Sequence, residues 1–356
     1  MLGEMWMKAE FSIAGRRIAN DSRCFVIAEA GVNHNGEAEL AHRLVDAVAD
    51  AKADAIKFQT FNADALVTGS ARRARYQVDN TGSDSSQFEM IKALELPAEA
   101  FLELREHALR RGLLFISTPF DEASADVLDG IGVPAFKVSS GDLNNHQLLE
   151  HIAAKGKPMI ISTGMATLGE IDDALRCLAE AGAAEVCALQ CTSSYPAPPD
   201  QINLRVMETL RRAFGIPIGY SDHTIGIPVS VAAAALGAAV IEKHVTLDRN
   251  LPGPDHRASL EPAELTRLLM EIREVEDALG SPVKRPVPVE EDTRDVARRS
   301  LFAGRDIAAG SIIVRADLVA LRPGTGISPD RRHAVLGQTA RHNIPAGTAL
   351  SYSDLQ

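Results

Sequence analysis

The sequence has no apolar run approaching the roughly 20 residues that a membrane-spanning helix needs, so a chain anchored by such a helix is not expected. Its opening stretch, MLGEMWMKAEFSIAGRR, lacks the uninterrupted apolar core of a secretory signal, and we read the protein as cytoplasmic. Cysteine is scarce. Cys24, Cys177, Cys187 and Cys191 show no zinc or redox spacing, and two of them fall inside strand-like runs, so reduced core thiols are the plain reading. An excess of positive charge is also missing. A formal net charge of −11 argues against nucleic acid as a partner, because binding the phosphate backbone draws on a basic surface. It does not argue against a small anion, for which local cations decide. The remaining composition, 46% hydrophobic and 24% charged, is that of an ordinary soluble globular protein.

What is present is a recurring unit. Eight short apolar runs, CFVIAEAG, DAIKFQT, LLFISTPF, AFKVSSGD, PMIISTG, VCALQCTSS, IPIGYSDHT and AVIEKHVT, lie between residues 24 and 246, and nearly all end in polar side chains. All gaps but the second hold only a helix-length stretch, which is the α/β pattern of a (β/α)8 TIM barrel. In such a barrel the carboxyl ends of the strands converge on one mouth. Glu29, Lys57, Thr118, Lys137, Ser162, Tyr195, His223 and His244 are therefore expected around a common cavity.

Helices are predicted over 37–52, 97–111, 122–130, 145–155, 168–182, 203–214, 228–237 and 262–279, the first carrying the stripe Leu40, Leu44, Val45 and Val48. The exceptional gap, residues 61–96, is long and polar, and we read it as a lid over the site. The chain of 356 residues exceeds a bare barrel of about 250. We divide it into a catalytic barrel at 1–280, a proline-rich charged linker at 281–297 and a small, mostly β domain at 298–356. Within that last segment RDIAAGSIIVRADL is loosely echoed by HNIPAGTALSYSDL.

Several strand ends carry chemistry, each with a blander alternative. Asn33-His34-Asn35-Gly36 after Glu29 is either part of a site or a helix-capping turn. A lysine at a barrel mouth is either a Schiff-base nucleophile or a point charge for carboxylate or phosphate. Two of them on different strands, Lys57 and Lys137, favour an anion, and Ser117, Thr118, Ser139, Ser140, Ser162, Thr163 and Ser221 supply donors unless they merely cap helices. His223 and His244 end neighbouring strands, as two ligands of a divalent metal would, with water or carboxylates completing the shell. Asp255 and His256 overhang the same mouth.

Together IAEAGVNHNG, IKFQT, STPFD, FKVSSGD, ISTGM, QCTSSYP, GYSDHT, IEKHVTLDRNLPGPDHRASLEP and LRPGTGI closely resemble the sialic acid synthase family, over almost the whole chain after residue 24. The resemblance implies condensation of phosphoenolpyruvate with an N-acylated hexosamine to a nine-carbon 2-keto acid. It also implies a TIM barrel followed by a small antifreeze-like (SAF) domain, in a domain-swapped homodimer. By the same resemblance Lys57, Thr118, Lys137, Ser140, Ser162 and Ser221 hold phosphoenolpyruvate. His223 and His244 bind a divalent metal, manganese or else magnesium or cobalt, with the Glu29 carboxylate beside it. Gln59, Asp142, Tyr195 and Asp255 contact the sugar, and Arg322 meets its N-acyl group. Ser193 and Asp142 depart from residues found in some members, an Asn and a Glu, so the acceptor contacts transfer least directly.

The expected acceptor is N-acetylmannosamine, giving N-acetylneuraminate, with a 2,4-diacetamido-2,4,6-trideoxymannose giving N,N'-diacetyllegionaminate as the alternative. The metal polarises the sugar aldehyde, C3 of the enol ester attacks it, water adds at C2 and phosphate leaves by C–O cleavage. Competing readings are a class I aldolase, another phosphoenolpyruvate-dependent sugar acid synthase, and a non-enzymatic carbohydrate-binding or antifreeze-type protein.

Overall fold

A computed structural model of the chain describes residues 7–82 and 85–356; residues 1–6 of the opening stretch and residues 83–84 of the long insert lie outside it. The chain divides into two compact units, Met1–Gly280 and Ser281–Gln356.

The first unit opens with a hairpin, β1 (Glu10–Ile13) and β2 (Arg16–Ala19), that the sequence reading did not anticipate. Its signal is the Ala14-Gly15 pair between two alternating runs, both residues taking positive φ, as a tight hairpin turn requires. Eight strands follow: β3 (Phe25–Gly31), β4 (Ala55–Thr60), β5 (Leu114–Pro119), β6 (Phe136–Val138), β7 (Met159–Ser162), β8 (Val186–Cys191), β9 (Ile218–Asp222) and β10 (Val240–His244). They pair in parallel and in chain order, and β10 closes on β3, which makes the expected barrel.

The helices α1 (Ala38–Ala51), α5 (Ala98–Arg110), α6 (Glu122–Gly130), α7 (His146–Ala153), α8 (Leu168–Glu180), α9 (Val206–Phe214), α10 (Pro228–Ala235) and α11 (Pro262–Leu279) occupy the expected places. In α1 the buried stripe is Ala41, Leu44, Val45, Val48 and Ala51, shifted one position from the Leu40 that the apolar pattern suggested. Residues 61–96 are not an irregular loop. They carry three short helices, α2 (Ala63–Leu66), α3 (Arg75–Thr81) and α4 (Gln87–Lys92). Such short helices have too few residues for an apolar stripe to be read in sequence. No helix among the described residues is long and apolar enough to cross a membrane.

Two apolar layers position the mouth. Outside the strands, α-helical side chains pack on Val26, Ile56, Phe115, Ile161 and Ile241. Inside, Phe25, Ile27, Ala55, Ile116, Ile160, Leu189 and Val240 pack together with Phe11, Ile13 and Ile18 of the hairpin. The hairpin therefore plugs the amino-terminal end of the barrel.

The second unit begins with residues 281–297, expected as a linker but carrying α12 (Glu291–Ala297) in their second half. β11 (Ser300–Ala303) and β12 (Leu318–Leu321) form its antiparallel pair, isolated bridges join the rest, and α13 (Arg332–Val335) is a single turn. The loose sequence echo is a structural one. Ile307 and Ile344 exchange backbone hydrogen bonds at 2.9 Å, while Asp306 accepts from the Ala346 N–H and Asn343 from the Ala309 N–H, both at 2.8 Å. Leu301, Ile313, Val335, Ile344 and Leu350 fill the small core that the two halves share.

If the hairpin is part of the barrel core, Ile18→Ala, at a fully buried position, lowers the free energy of unfolding by about 2–5 kcal/mol. Urea denaturation followed by circular dichroism measures this, with Ile312→Ala at an exposed position as a control. Equal midpoints for the two variants would show that the plug adds nothing to the fold.

Candidate active site

Side chains alternate along a strand, so the inward positions run from apolar to polar as each strand approaches the mouth. Ile27 gives way to Glu29 in β3, Ala55 to Lys57 and Gln59 in β4, and Ile116 to Thr118 in β5. In the same way Ile160 precedes Ser162, Leu189 precedes Cys191, and Val240 precedes Glu242 and His244. The polar positions open on a cavity of about 460 Å³. Glu29, Lys57, Gln59, Thr118, Lys137, Ser140, Ser162, Tyr195, Ser221, His223, His244 and Asp255 all line it. Asp142 is not among the lining residues; its carboxylate accepts from Ser139 Oγ at 2.5 Å in the turn beside the mouth. Arg322 belongs to the second unit, where it follows β12 and is exposed.

The floor of the cavity is an ion cluster. Lys57 Nζ lies 2.8 Å from Glu29 Oε2 and 3.7 Å from Glu242 Oε2, and it donates to Thr118 Oγ1 at 2.8 Å. Lys137 Nζ lies 4.0 Å from Glu242 Oε1 and donates to Ser162 Oγ at 2.6 Å and to the Val138 carbonyl at 2.7 Å. Ser221 donates to Glu242 Oε1, and Gln59 to Glu29 Oε1, each at 3.0 Å.

All four charged groups are at least nine-tenths buried. Burial pushes the Glu29 carboxyl up to about 7 even though Lys57 opposes it. For Glu242 burial acts upward too, but Lys137 and Lys57 outweigh it and hold the group below its ordinary value. Burial lowers Lys137, whereas Lys57, facing both carboxylates, is raised. Glu29 Oε2 is close to Lys57 yet, like Glu242 Oε2, accepts no well-aligned hydrogen bond.

Above the floor stand the two histidines. Their ring centroids are 5.3 Å apart, and Tyr195 packs against both at 4.0 and 5.6 Å. His223 Nδ1 is 3.0 Å from the Thr192 carbonyl, a contact that places the proton on Nδ1 and leaves Nε2 with its lone pair. His244 Nδ1 is buried without a hydrogen-bond partner, 4.0 Å from Asp255 Oδ2. Burial, then His223, lowers His244 well below its ordinary value, which keeps it neutral as ligation demands. Burial also acts downward on His223, but Cys191 beside it outweighs that effect and raises the group above its ordinary value.

These donors fit a divalent transition ion held by two imidazoles, since metal–nitrogen bonds of about 2 Å let two rings at this spacing share one ion. No group of three His, Cys, Asp or Glu gathers for a metal among the described residues. The remaining positions would fall to water and substrate.

The alternatives raised for the strand ends resolve differently. Helix caps fall to Asp121, Asn145 and Thr167, which leaves Ser140, Ser162 and Ser221 to the cavity. Asn33-His34-Asn35-Gly36 neither lines the cavity nor caps α1 through a side chain. Asn33 donates to the Val245 carbonyl and to Ser259 at 2.8 Å, and Asn35 meets His256 at 3.1 Å. The run thus ties the first βα loop to the loop that presents Asp255, and burial depresses His34 to about 4.

The segment of residues 61–96 forms one wall of the cavity through Phe61, Leu66, Val67, Tyr76, Met90 and Ile91. Asn80 of α3 fastens it by donating to the Pro254 carbonyl at 2.6 Å and the Tyr195 carbonyl at 3.2 Å. Sequence reasoning missed Glu242 and Cys191 as site residues. The signal was available, because Glu242 precedes His244 by two and Cys191 follows Leu189 by two, each on the inward face.

Residues 44–284 match the NeuB family and residues 298–356 the SAF domain. The chain is 45% identical to the N,N'-diacetyllegionaminic acid synthase of Legionella pneumophila, covering 94% of this chain and 95% of that one. It is 46% identical to the protein of the same name from Campylobacter jejuni, over 90% and 97% of the two chains. Among solved structures, the N-acetylneuraminic acid synthetase of Leptospira borgpetersenii in complex with citrate is similar at a TM-score of 0.71 and 36% identity, over 82% of this chain and 96% of that one.

Removing Lys57 leaves two buried carboxylates short of a counter-ion, and breaking such a pair costs about 3–5 kcal/mol. Because the folded protein holds the Glu29 proton more tightly than its ordinary value of 4.5, with a folded value of about 7, this group stabilises less as pH rises between them. Lys57→Met is therefore expected to lose more stability at pH 8 than at pH 6, where Glu29 takes up its proton. Urea midpoints at the two pH values check this, and a small loss that is the same at both would contradict the cluster's electrostatics.

Proposed function

The chain belongs to the NeuB family, and from that premise we propose that it is a phosphoenolpyruvate-dependent synthase that makes N,N'-diacetyllegionaminate and phosphate from a 2,4-diacetamido-2,4,6-trideoxymannose and water. The observation that carries the reaction type is the convergence of two buried ammonium groups and two imidazoles on one cavity. The relatives at 45% and 46% identity favour the diacetamido acceptor over the N-acetylmannosamine expected first from sequence. The apolar wall of Phe61, Leu66, Val67 and Ile91 also suits a sugar that carries acetamido methyls and a C6 methyl in place of a hydroxyl.

In this reading Lys57 and Lys137 hold the carboxylate and phosphate of the enol ester, with Thr118, Ser140, Ser162 and Ser221 donating to their oxygens. Tyr195, Gln59 and Asp255 orient the sugar so that its aldehyde carbon meets C3 of phosphoenolpyruvate. A new C–C bond forms there, water adds at C2, and the C2–O bond to phosphate breaks. Glu29, as the carboxylate, takes the proton from that water. Lys137 balances the charge of the departing phosphate. His223 and His244 would hold a divalent ion, manganese first, which supplies Lewis acidity to the aldehyde oxygen when bound. A homodimer with exchanged small units, in which Arg322 meets the N-acyl group, is part of the same reading.

Phosphate release from phosphoenolpyruvate with manganese and each sugar in turn tests the proposal. The diacetamido sugar should be turned over at a kcat/KM at least about tenfold above that of N-acetylmannosamine, and the reverse order would return the reading to N-acetylneuraminate. The pH profile of kcat/KM should fall on the acid side of about 7 as the Glu29 carboxylate is lost, and Glu29→Gln should remove that limb together with most of the rate. Arg322→Ala should raise KM for the sugar and leave that for phosphoenolpyruvate in place. An unchanged sugar KM rules out the contact from the small unit.

A further inference from the structure

On the face of β9 and β10 that points away from the cavity, Asp222 and Lys243 form an ion pair of 3.0 Å with both side chains at 0% exposure. They are direct register partners across the two strands, and each immediately precedes one of the histidines, His223 or His244. Alternation sends them into the layer between barrel and helices, which nearby Ile218, Ile241, Ala233 and Ala234 fill with apolar atoms.

The pair is bonded on every side. Asp222 Oδ1 accepts from the Thr224 N–H at 2.8 Å and from Tyr220 Oη at 3.2 Å. Its Oδ2 accepts from Ser230 Oγ of α10 at 2.5 Å, and Lys243 Nζ donates to the Thr224 carbonyl at 2.5 Å. Apolar residues of similar volume often stabilise such a position about as well as a buried ion pair. Stability alone therefore does not account for the charges, but their placement does. Thr224 is held through both its N–H and its carbonyl, so the backbone just after His223 is pinned to the side chain just before His244.

We propose that the Asp222–Lys243 pair is a positioning device that fixes the separation and orientation of the two imidazoles and thereby sets the divalent-cation affinity of the site. The inference rests on the two-histidine reading above. It assigns neither residue a contact with substrate or ion; both act through the strand ends that they join. Partners that orient metal ligands typically change affinity by about 10–100-fold when removed.

The test separates stability from affinity with the double variant Asp222→Leu/Lys243→Met, which removes both charges and keeps the volume. Thermal unfolding of the metal-free protein should show a lowered midpoint with a single cooperative transition, because Thr224, Ser230 and Tyr220 lose buried partners, while manganese affinity, measured by calorimetry with the ion alone on the folded protein, falls at least about tenfold. Unchanged affinity in a folded double variant overturns the proposal. If the double variant does not fold, Ser230→Ala decides: it deletes one bond to Asp222, and severalfold weaker manganese binding at an unchanged circular dichroism spectrum supports the device, whereas equal binding overturns it. His223→Ala marks the premise. If wild type and His223→Ala bind manganese equally, the two-histidine reading fails and this inference falls with it. If only the double variant matches wild type, the positioning role alone is lost.

Discussion

Four ionisable side chains share the floor of the barrel, and the cost of keeping Glu29, Lys57, Lys137 and Glu242 out of water is the constraint on which the rest of the structure depends. Each ion removed from water costs several kcal/mol unless its partners repay it. Repayment here comes from proximity, with separations of 2.8, 3.7 and 4.0 Å, and from the hydroxyls of Thr118, Ser162 and Ser221 on three other strands. It also needs a floor that does not move. The apolar layer beneath, closed by Ile13 and Ile18 of the hairpin, supplies that rigidity and limits water to the mouth.

An electroneutral floor changes how an anion would bind. Two carboxylates already face the two ammonium groups, so an incoming phosphate meets cations that are partly spoken for. The free energy of binding is then coupled to protons, because a carboxyl poised at about 7 takes one up when negative charge arrives beside it. A cation at the histidines acts in the opposite sense on the same group. Anion, cation and proton are linked through one cluster, and Glu29 is the member with the least distance to travel between its two states at neutral pH.

The barrel and most of its mouth were legible because one rule, alternation, serves every strand. Runs such as PMIISTG show apolar residues on both faces until the last inward position turns polar, and Lys57, Lys137, His223 and His244 stood out there as residues rarely buried without a reason. What escaped did so for identifiable causes. Glu242 sits one inward position below His244 and was hidden behind it in EKH, although the same periodicity that pointed to His244 points to it. The helices of residues 61–96 are too short for a stripe, and their role shows in contacts such as those of Asn80 and Tyr76, whose partners lie more than a hundred positions away in sequence. Asn33-His34-Asn35 carries the residue types of a site and does the work of a loop tie, because its partners Val245, Ser259 and His256 come from the far end of the barrel sequence. Residue type alone does not separate those two uses; the partner does.

The last two strands show how much one register has to satisfy. Along β9, its following residue and β10 the inward set is Ser221, His223, Glu242 and His244, and the outward set is Asp222 and Lys243. Sliding either strand by one residue exchanges the sets, which would put an ammonium where an imidazole belongs and an imidazole among the helices. Both faces therefore oppose the slip, one through the cavity and one through a buried pair that no apolar neighbour can replace as a hydrogen-bond partner for Thr224. Gly219 completes the specification, since a Cβ at that position would run into the Val240 backbone and hold the strands apart. The close approach that only glycine allows at the start of the strand pair and the charges that lock its end act on the same few ångströms, and those ångströms are the spacing of His223 and His244.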